Sequence, residues 1–78
     1  MRWTNPQHGV QHLIDVEIKG IRQITLCSYG GFVEVYALGP TGFTPVWEED
    51  VKTVAEAMTK GEAYARQFLP IKKVEEVA

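Results

Sequence analysis

The residue types that most often carry catalysis or bind metals are sparse in this 78-residue chain. His8 and His12 are four positions apart, which on a helix would bring two imidazoles onto one face. Gly9 and the alternation after it instead indicate a strand, where the two positions lie about 13 Å apart at ~3.3 Å per residue. Since Cys27 is the single cysteine, a ligand set is hard to complete, and we expect no metal and no cofactor.

Nucleophilic catalysis would require a base within hydrogen-bonding reach of Cys27. The strand pairing described below places His12 on the buried face of a sheet and Cys27 on the opposite face. The glycines of Gly30-Gly31 lack the lysine and the strand–loop–helix context of a phosphate-binding loop. We therefore expect no catalytic residues and a protein that is not an enzyme.

Alternation of apolar and polar residues predicts three strands over 10–18, 22–29 and 32–38. A three-residue loop at 19–21 would pair Val16 with Ile24 and Ile14 with Leu26, which makes one face wholly apolar. A slip by one residue would turn every side chain to the other face, so burial favours this register.

The dipeptide Gly30-Gly31 predicts a two-residue hairpin, because both glycines tolerate positive φ. A fourth strand over 43–48 follows the turn signal Gly39-Pro40-Thr41-Gly42 and is expected to turn Phe43 and Trp47 toward the core. Pro45 cannot donate to a ladder, which predicts that this strand lies at an edge.

Thr53 and Glu56 form a capping box that predicts a helix over 54–69, ended by Pro70. Residues 1–9 are expected to be irregular and 70–78 to form a tail. The predicted fold class is α+β: an antiparallel β-meander of three to four strands packed on one C-terminal α-helix, in a single domain spanning 1–78.

Composition constrains the class of protein and its partners. Hydrophobic residues make up 45% and charged residues 23% of the chain, which is typical of globular domains. No segment approaches the roughly 18 apolar residues of a membrane span, and no signal-peptide pattern is present. With a single cysteine these features predict a cytoplasmic protein with no membrane partner, although a viral or secreted origin stays open. The net charge of −2 disfavours nucleic acid as a partner.

The outward face of the predicted sheet is the best candidate for function. Aromatic groups rimmed by acids are typical of a partner-binding surface. An acidic run before the helix could contact a basic partner, or simply favour the helix N-terminus. The candidate protein-binding residues are Tyr29, Phe32, Tyr36, Leu13, Glu34, Asp15 and Glu17 on the face, and Glu48, Glu49 and Asp50 in the run.

Three functions remain open. The first is a non-catalytic module that binds a protein. The second is a nucleic-acid-binding module, since three strands backed by a helix resemble the AP2 and phage-integrase amino-terminal DNA-binding domains, with aromatic side chains stacking on bases. Acids at Asp15, Glu17 and Glu34 depart from that pattern. The third is a homo-oligomeric structural protein, such as a homodimer, in which a second copy covers the face.

A meander followed by Thr53-Val54-Ala55-Glu56-Ala57 and Glu62-Ala63-Tyr64-Ala65 resembles small accessory proteins of phages and mobile elements, over residues 22–69. That group includes some anti-CRISPR proteins. The resemblance implies an inhibitor or modulator that acts by occupying the surface of a host protein. It assigns no role to an individual residue.

Overall fold

The computed structural model describes residues 1–69, which form a five-stranded antiparallel sheet with one helix on one side. The strands lie in chain order across the sheet. They are β1 (Arg2–Trp3), β2 (Val10–Ile14), β3 (Gln23–Tyr29), β4 (Phe32–Leu38) and β5 (Pro45–Val51), followed by α1 (Val54–Arg66). The α+β meander is confirmed, with one strand more than predicted. The predicted helix stop at Pro70 and the tail 70–78 lie outside the described residues.

Helix α1 begins where the capping pattern predicts. Thr53 Oγ1 accepts a hydrogen bond from the Glu56 amide at 3.1 Å, and Glu56 Oε1 accepts one from the Lys52 amide at 3.3 Å. The helix ends at Arg66, earlier than the predicted residue 69. The amides of Gln67 and Phe68 bond to carbonyls three residues back, at 3.2 and 3.1 Å, so the final turn tightens and the α-helical pattern stops. No helix within residues 1–69 is long and apolar enough to cross a membrane.

The hairpin between β3 and β4 has the predicted register. Tyr29 is opposite Phe32 and Leu26 is opposite Val35. Gly30 and Gly31 both have positive φ, at 63° and 83°, as a two-residue turn with this strand twist requires. Leu26 and Val35 are fully buried beneath the helix, so this pair forms the centre of the core.

The predicted pairing of β2 is wrong. Leu26 lies opposite Gln11 instead of Ile14, a difference of three positions. An odd shift inverts the two faces of a strand, and Leu13 therefore points into the core with 5% of its surface exposed. The strand ends at Ile14 because Asp15 has φ of 62°, a left-handed conformation that interrupts an extended chain. A strand that stops here cannot run to residue 18.

The segment after β2 is a loop with its own turn. The Ile21 amide donates to the Ile18 carbonyl at 3.1 Å, which closes a small isolated bridge. Val16, Ile18 and Ile21 are partly buried against the core from this loop. Their apolar surface is thus sheltered without a place in the sheet, so hydrophobic burial alone did not distinguish the two registers.

Helix and sheet approach each other most closely at Gly61. A Cβ atom placed there would lie 2.9 Å from Trp3 Cη2 and 3.2 Å from Val35 Cγ2. Trp3 Nε1 also donates a hydrogen bond to Glu62 Oε2 at 2.9 Å. The N-terminal segment, predicted to be irregular, therefore contributes a short strand whose tryptophan packs against the helix.

The opposite side of the helix is held by a second tryptophan. Trp47 on β5 faces the core opposite Ala37, as predicted, and its ring stacks on Tyr64 with centroids 4.4 Å apart and planes 9° apart. Phe43 was expected to face the core as well, but it is 89% exposed. It lies in the loop before β5, which begins at Pro45, and the β4–β5 register shifts at Ala37/Leu38.

The contact at Gly61 predicts an unusual response to Gly61→Ala. Alanine should favour an isolated helix by about 1 kcal/mol. Here we expect the free energy of unfolding to fall by about 1 kcal/mol, because overpacking against Trp3 outweighs the gain in helix propensity. Chemical denaturation measures the change.

The same substitution in a Trp3→Ala background should cost at least about 1 kcal/mol less, because the overlapping ring is gone. Equal costs in the two backgrounds would show that Trp3 does not limit the approach of the helix.

Candidate protein-binding face

The side of the sheet away from α1, here called the outer face, carries cross-strand rows of side chains, three of which lie between the middle of the sheet and the hairpin end. Each row follows from the strand registers. The central row is His12, Thr25, Tyr36 and Glu48; the second is Val10, Cys27, Glu34 and Asp50; the third, at the hairpin end, is Tyr29 and Phe32.

The centre of the outer face is packed, although nothing from the helix covers it. Thr25 is only 2% exposed and Cys27 is buried. His12 Nδ1 and Thr25 Oγ1 are 3.1 Å apart, and Cys27 Sγ and Tyr36 Oη are 3.6 Å apart. Tyr36, a predicted binding residue, is thus partly engaged in holding this face together.

Burial of Tyr36 changes its acidity. Desolvation, then the hydrogen bond and charge of Cys27, and then the charge of Glu34 and Tyr29, raise the pKa of the Tyr36 phenol to about 12. Each of these disfavours a phenolate. Tyr36 therefore stays a neutral hydrogen-bonding group at physiological pH.

Exposure is concentrated at the hairpin end of the outer face. Tyr29 is 62% and Phe32 79% exposed, and the two side chains lie on directly opposite residues. Beside them is an open groove of about 380 Å³. It is lined by Cys27, Tyr29, Gly31, Phe32, Val33, Glu34, Asp50 and Val51.

Two carboxylates lie side by side in the lining of this groove. Glu34 on β4 is directly opposite Asp50 on β5. Like charges in this position are mutually repulsive. Among the salt bridges of residues 1–69, none includes Glu34, Glu48 or Asp50. The groove therefore combines exposed aromatic rings with uncompensated negative charge.

The acidic run at 48–50 lies within strand β5, so it is not a linker leading into the helix. Alternation along the strand divides it. Glu48 and Asp50 point to the outer face, whereas Glu49 points to the helix side and pairs with Lys60, Oε1 to Nζ at 3.2 Å. Two of the three acids thus join the candidate site and the third attaches helix to sheet.

Three predicted site residues lie elsewhere. Leu13 is in the core because of the altered β2 register. Asp15 and Glu17 are in the loop after β2, and Asp15 Oδ2 pairs with Arg2 Nε at 3.0 Å. The early end of β2 therefore removes both acids from the sheet face.

The new register also changes the relation between His12 and Cys27. Both lie on the outer face, so the predicted separation onto opposite faces is wrong. Each is nevertheless already paired, His12 with Thr25 and Cys27 with Tyr36. His8 lies in a turn with φ of 54°. Within residues 1–69, no group of three or more histidine, cysteine or acidic side chains is placed to hold a metal ion.

Two further exposed apolar side chains were not predicted from the sequence. Val46 and Phe68 are each about half exposed, Val46 next to the β5 register shift and Phe68 edge-on to Tyr64 at 5.0 Å between centroids. The strand alternation predicts a buried or exposed side only when pairing is regular. No pattern in the sequence predicts the shift in the β4–β5 register at Ala37/Leu38.

Comparison with known proteins adds no relative: no protein family, curated protein or solved structure matches this chain.

The phenol of Tyr36 predicts a stability change at high pH. A folded pKa of about 12 lies above the ordinary value of 10.0. The stabilisation by the neutral phenol is then fully present below pH 10 and lost as pH rises through 12. Ultraviolet absorbance of tyrosinate should show one tyrosine that ionises with a pKa of about 12. This ionisation should be absent in Tyr36→Phe and retained in Tyr29→Phe. Cys27→Ala should remove only part of the upward shift in the pKa of Tyr36, because burial is the largest cause of that shift.

Repulsion between Glu34 and Asp50 makes a prediction for the free protein. Asp50→Asn should raise the free energy of unfolding by about 0.2–1 kcal/mol, because it removes a like-charge cross-strand pair. The matched control is Glu48→Gln, since Glu48 is opposite the neutral Tyr36, and it should give no comparable gain. A loss of stability in Asp50→Asn would mean that this carboxylate makes a favourable contact instead. Urea denaturation at low salt gives both values.

Proposed function

We propose that this protein is a non-catalytic interaction module that binds a partner protein through the hairpin end of its outer face. The observation that carries the proposal is the directly opposed pair Glu34 and Asp50 beside the exposed rings of Tyr29 and Phe32. The complementary partner is a protein surface that presents arginine or lysine next to apolar side chains.

The chemistry of the groove supports a cationic partner. A guanidinium between two carboxylates forms charge-assisted hydrogen bonds, which are stronger than those between neutral groups. Aromatic rings nearby offer cation–π contact and apolar area. Bringing a cation to Glu34 and Asp50 also offsets a repulsion that the free protein carries. The site thus favours a bound cation over the free state.

The same charges argue against the two alternatives. Phosphate groups would meet Glu34, Asp50 and Glu48 on the outer face, which opposes binding of nucleic acid. Self-association face to face would set these acids against their copies. Charge complementarity therefore favours a basic protein over either.

Surface occupation requires shape and charge but no reaction. A narrower form of the proposal is accordingly an inhibitor or modulator, such as a phage accessory protein, that blocks a basic surface of a larger host protein. A few central anchors that become buried on binding supply most of the energy in protein interfaces, and the exposed rings of Tyr29 and Phe32 are available for that role.

A double substitution tests the proposed face. Phe32→Ala with Asp50→Lys removes one ring and reverses one charge, and should weaken partner binding by a factor of about 100 or more, as the loss of a central anchor does. Affinity capture with the wild-type chain as bait, read by quantitative mass spectrometry, identifies proteins whose retention depends on this pair.

The matched control is Phe43→Ala with Glu17→Lys, which makes the same chemical changes at exposed positions away from the face. It should retain the partner. Equal loss in both variants, or no loss in either, contradicts the proposed face. Capture of nucleic acid instead of protein contradicts the proposed class of partner.

A further inference from the structure

We infer that the open edge of β5 accepts an extended segment of the partner as an added strand, with basic side chains at alternate positions. The inference rests on the proposed function and specifies its binding mode. It follows from three features of β5: its unpaired outer edge, the alternation of its side chains and its continuity with the groove.

The two edges of the sheet differ in whether another part of the chain covers them. Alongside β2, the Thr4 amide donates to the His12 carbonyl at 2.9 Å, the His12 amide donates to Thr4 Oγ1 at 3.0 Å, and the Val10 amide donates to the Gln7 carbonyl at 3.0 Å. The N-terminal segment therefore occupies that edge, which leaves little room for an added strand.

Strand β5 has no such cover within residues 1–69. Its one neighbouring strand is β4, and no further backbone hydrogen bond reaches residues 46–51 from the described part of the chain. In an antiparallel ladder every second residue directs its N–H and C=O away from the paired strand. A seven-residue edge thus presents a row of free donors and acceptors, the template for strand addition.

Side chains on β5 define the sequence that an added strand needs. Glu48 and Asp50 point to the outer face, and a strand added beside them places its own side chains about 5 Å away at matching positions. Basic residues there would pair with both acids. On the other face the intervening residues meet Trp47 and Val51, while Glu49 is already paired with Lys60. The complementary segment therefore alternates lysine or arginine with apolar residues.

A second copy of this chain is a poor occupant of the edge. Antiparallel self-pairing centred on any residue from 48 to 50 sets Glu48 or Asp50 opposite an identical or similar acid. Directly opposed like charges are destabilising, and charged edge strands are a common means of preventing self-pairing. The same charges attract a basic strand.

Continuity between edge and groove favours a single binding segment. Asp50 and Val51 belong to β5 and also line the groove next to Phe32. A strand paired along β5 therefore ends beside the exposed rings of the hairpin. One partner segment can contact the edge with its backbone and the groove with its side chains.

The test uses the full chain and a synthetic probe, the capped peptide Thr-Lys-Val-Lys-Val-Lys-Thr with a fluorescent label. Fluorescence anisotropy should show binding that weakens at least about fivefold when glutamine replaces every lysine, or when Glu48→Gln and Asp50→Asn are combined, in line with the loss of two charge-assisted contacts. Equally tight binding of the glutamine peptide would overturn the requirement for basic side chains.

Backbone methylation distinguishes strand addition from other modes of binding. Two versions of the peptide are N-methylated at alternate residues, one at odd and one at even positions. Only one set of amides faces β5 in an added strand, so one version should lose binding and the other should keep it. Equal binding by both versions overturns the edge mode.

Amide hydrogen exchange locates the contact. In the free, full chain the outward-facing amides of β5 should exchange fast, and the lysine peptide should protect them. Protection before peptide is added would show that the edge is already occupied, by a second copy or by another part of the chain, and would overturn the inference.

Failure here is separable from failure of the proposed function. If peptide binding depends on Phe32 and Glu34 but not on backbone methylation, the edge mode is wrong and the face remains. If no peptide binds while the captured partner still depends on Phe32 and Asp50, the edge mode is again wrong. If retention of the captured partner is unchanged by both substitutions, the proposed function itself is wrong.

Discussion

The structure depends on how closely helix α1 lies against the sheet. At Gly61 the helix backbone meets Val35 and the ring of Trp3, and a Cβ atom there would overlap the indole. Small residues at Ala57 and Ala65 continue this line and are fully buried. A chain of 78 residues has little apolar surface to bury. Close packing of this helix face against the sheet therefore gives most of the stability that a small core can supply.

Within residues 1–69, one helix covers one side of the sheet and no second layer covers the other. The outer face is therefore stabilised by contacts among its own side chains. Tyr36 shelters Thr25 and Cys27 at its centre, and hydrogen bonds pair the polar groups there. On the outer face, the exposed aromatic side chains are Tyr29 and Phe32 at the hairpin end.

Strand β5 carries both a contact to the helix and side chains of the surface proposed for recognition. Glu49 ties the helix to the sheet through Lys60, whereas Glu48 and Asp50 face solvent on the other side. Charged side chains on an edge strand prevent uncontrolled pairing. Asp50 is also directly opposite Glu34 on β4, which gives the free protein a local repulsion. Such departures from the most stable arrangement are common at functional surfaces, which supports the proposed binding site.

Short-range signals in the sequence determined the helix start at Thr53, the Gly30-Gly31 hairpin with the β3–β4 register, and the edge position of β5. Each depends on neighbouring residues, through a cap, a tight turn or a missing amide. Tertiary structure alone decided the β2 register. Asp15 ends the strand, and the apolar residues 16, 18 and 21 pack against the core from the loop that follows. Tertiary structure likewise placed Trp3 against the helix and Glu34 opposite Asp50, because such contacts join residues distant in the chain whose meeting depends on all the packing between them.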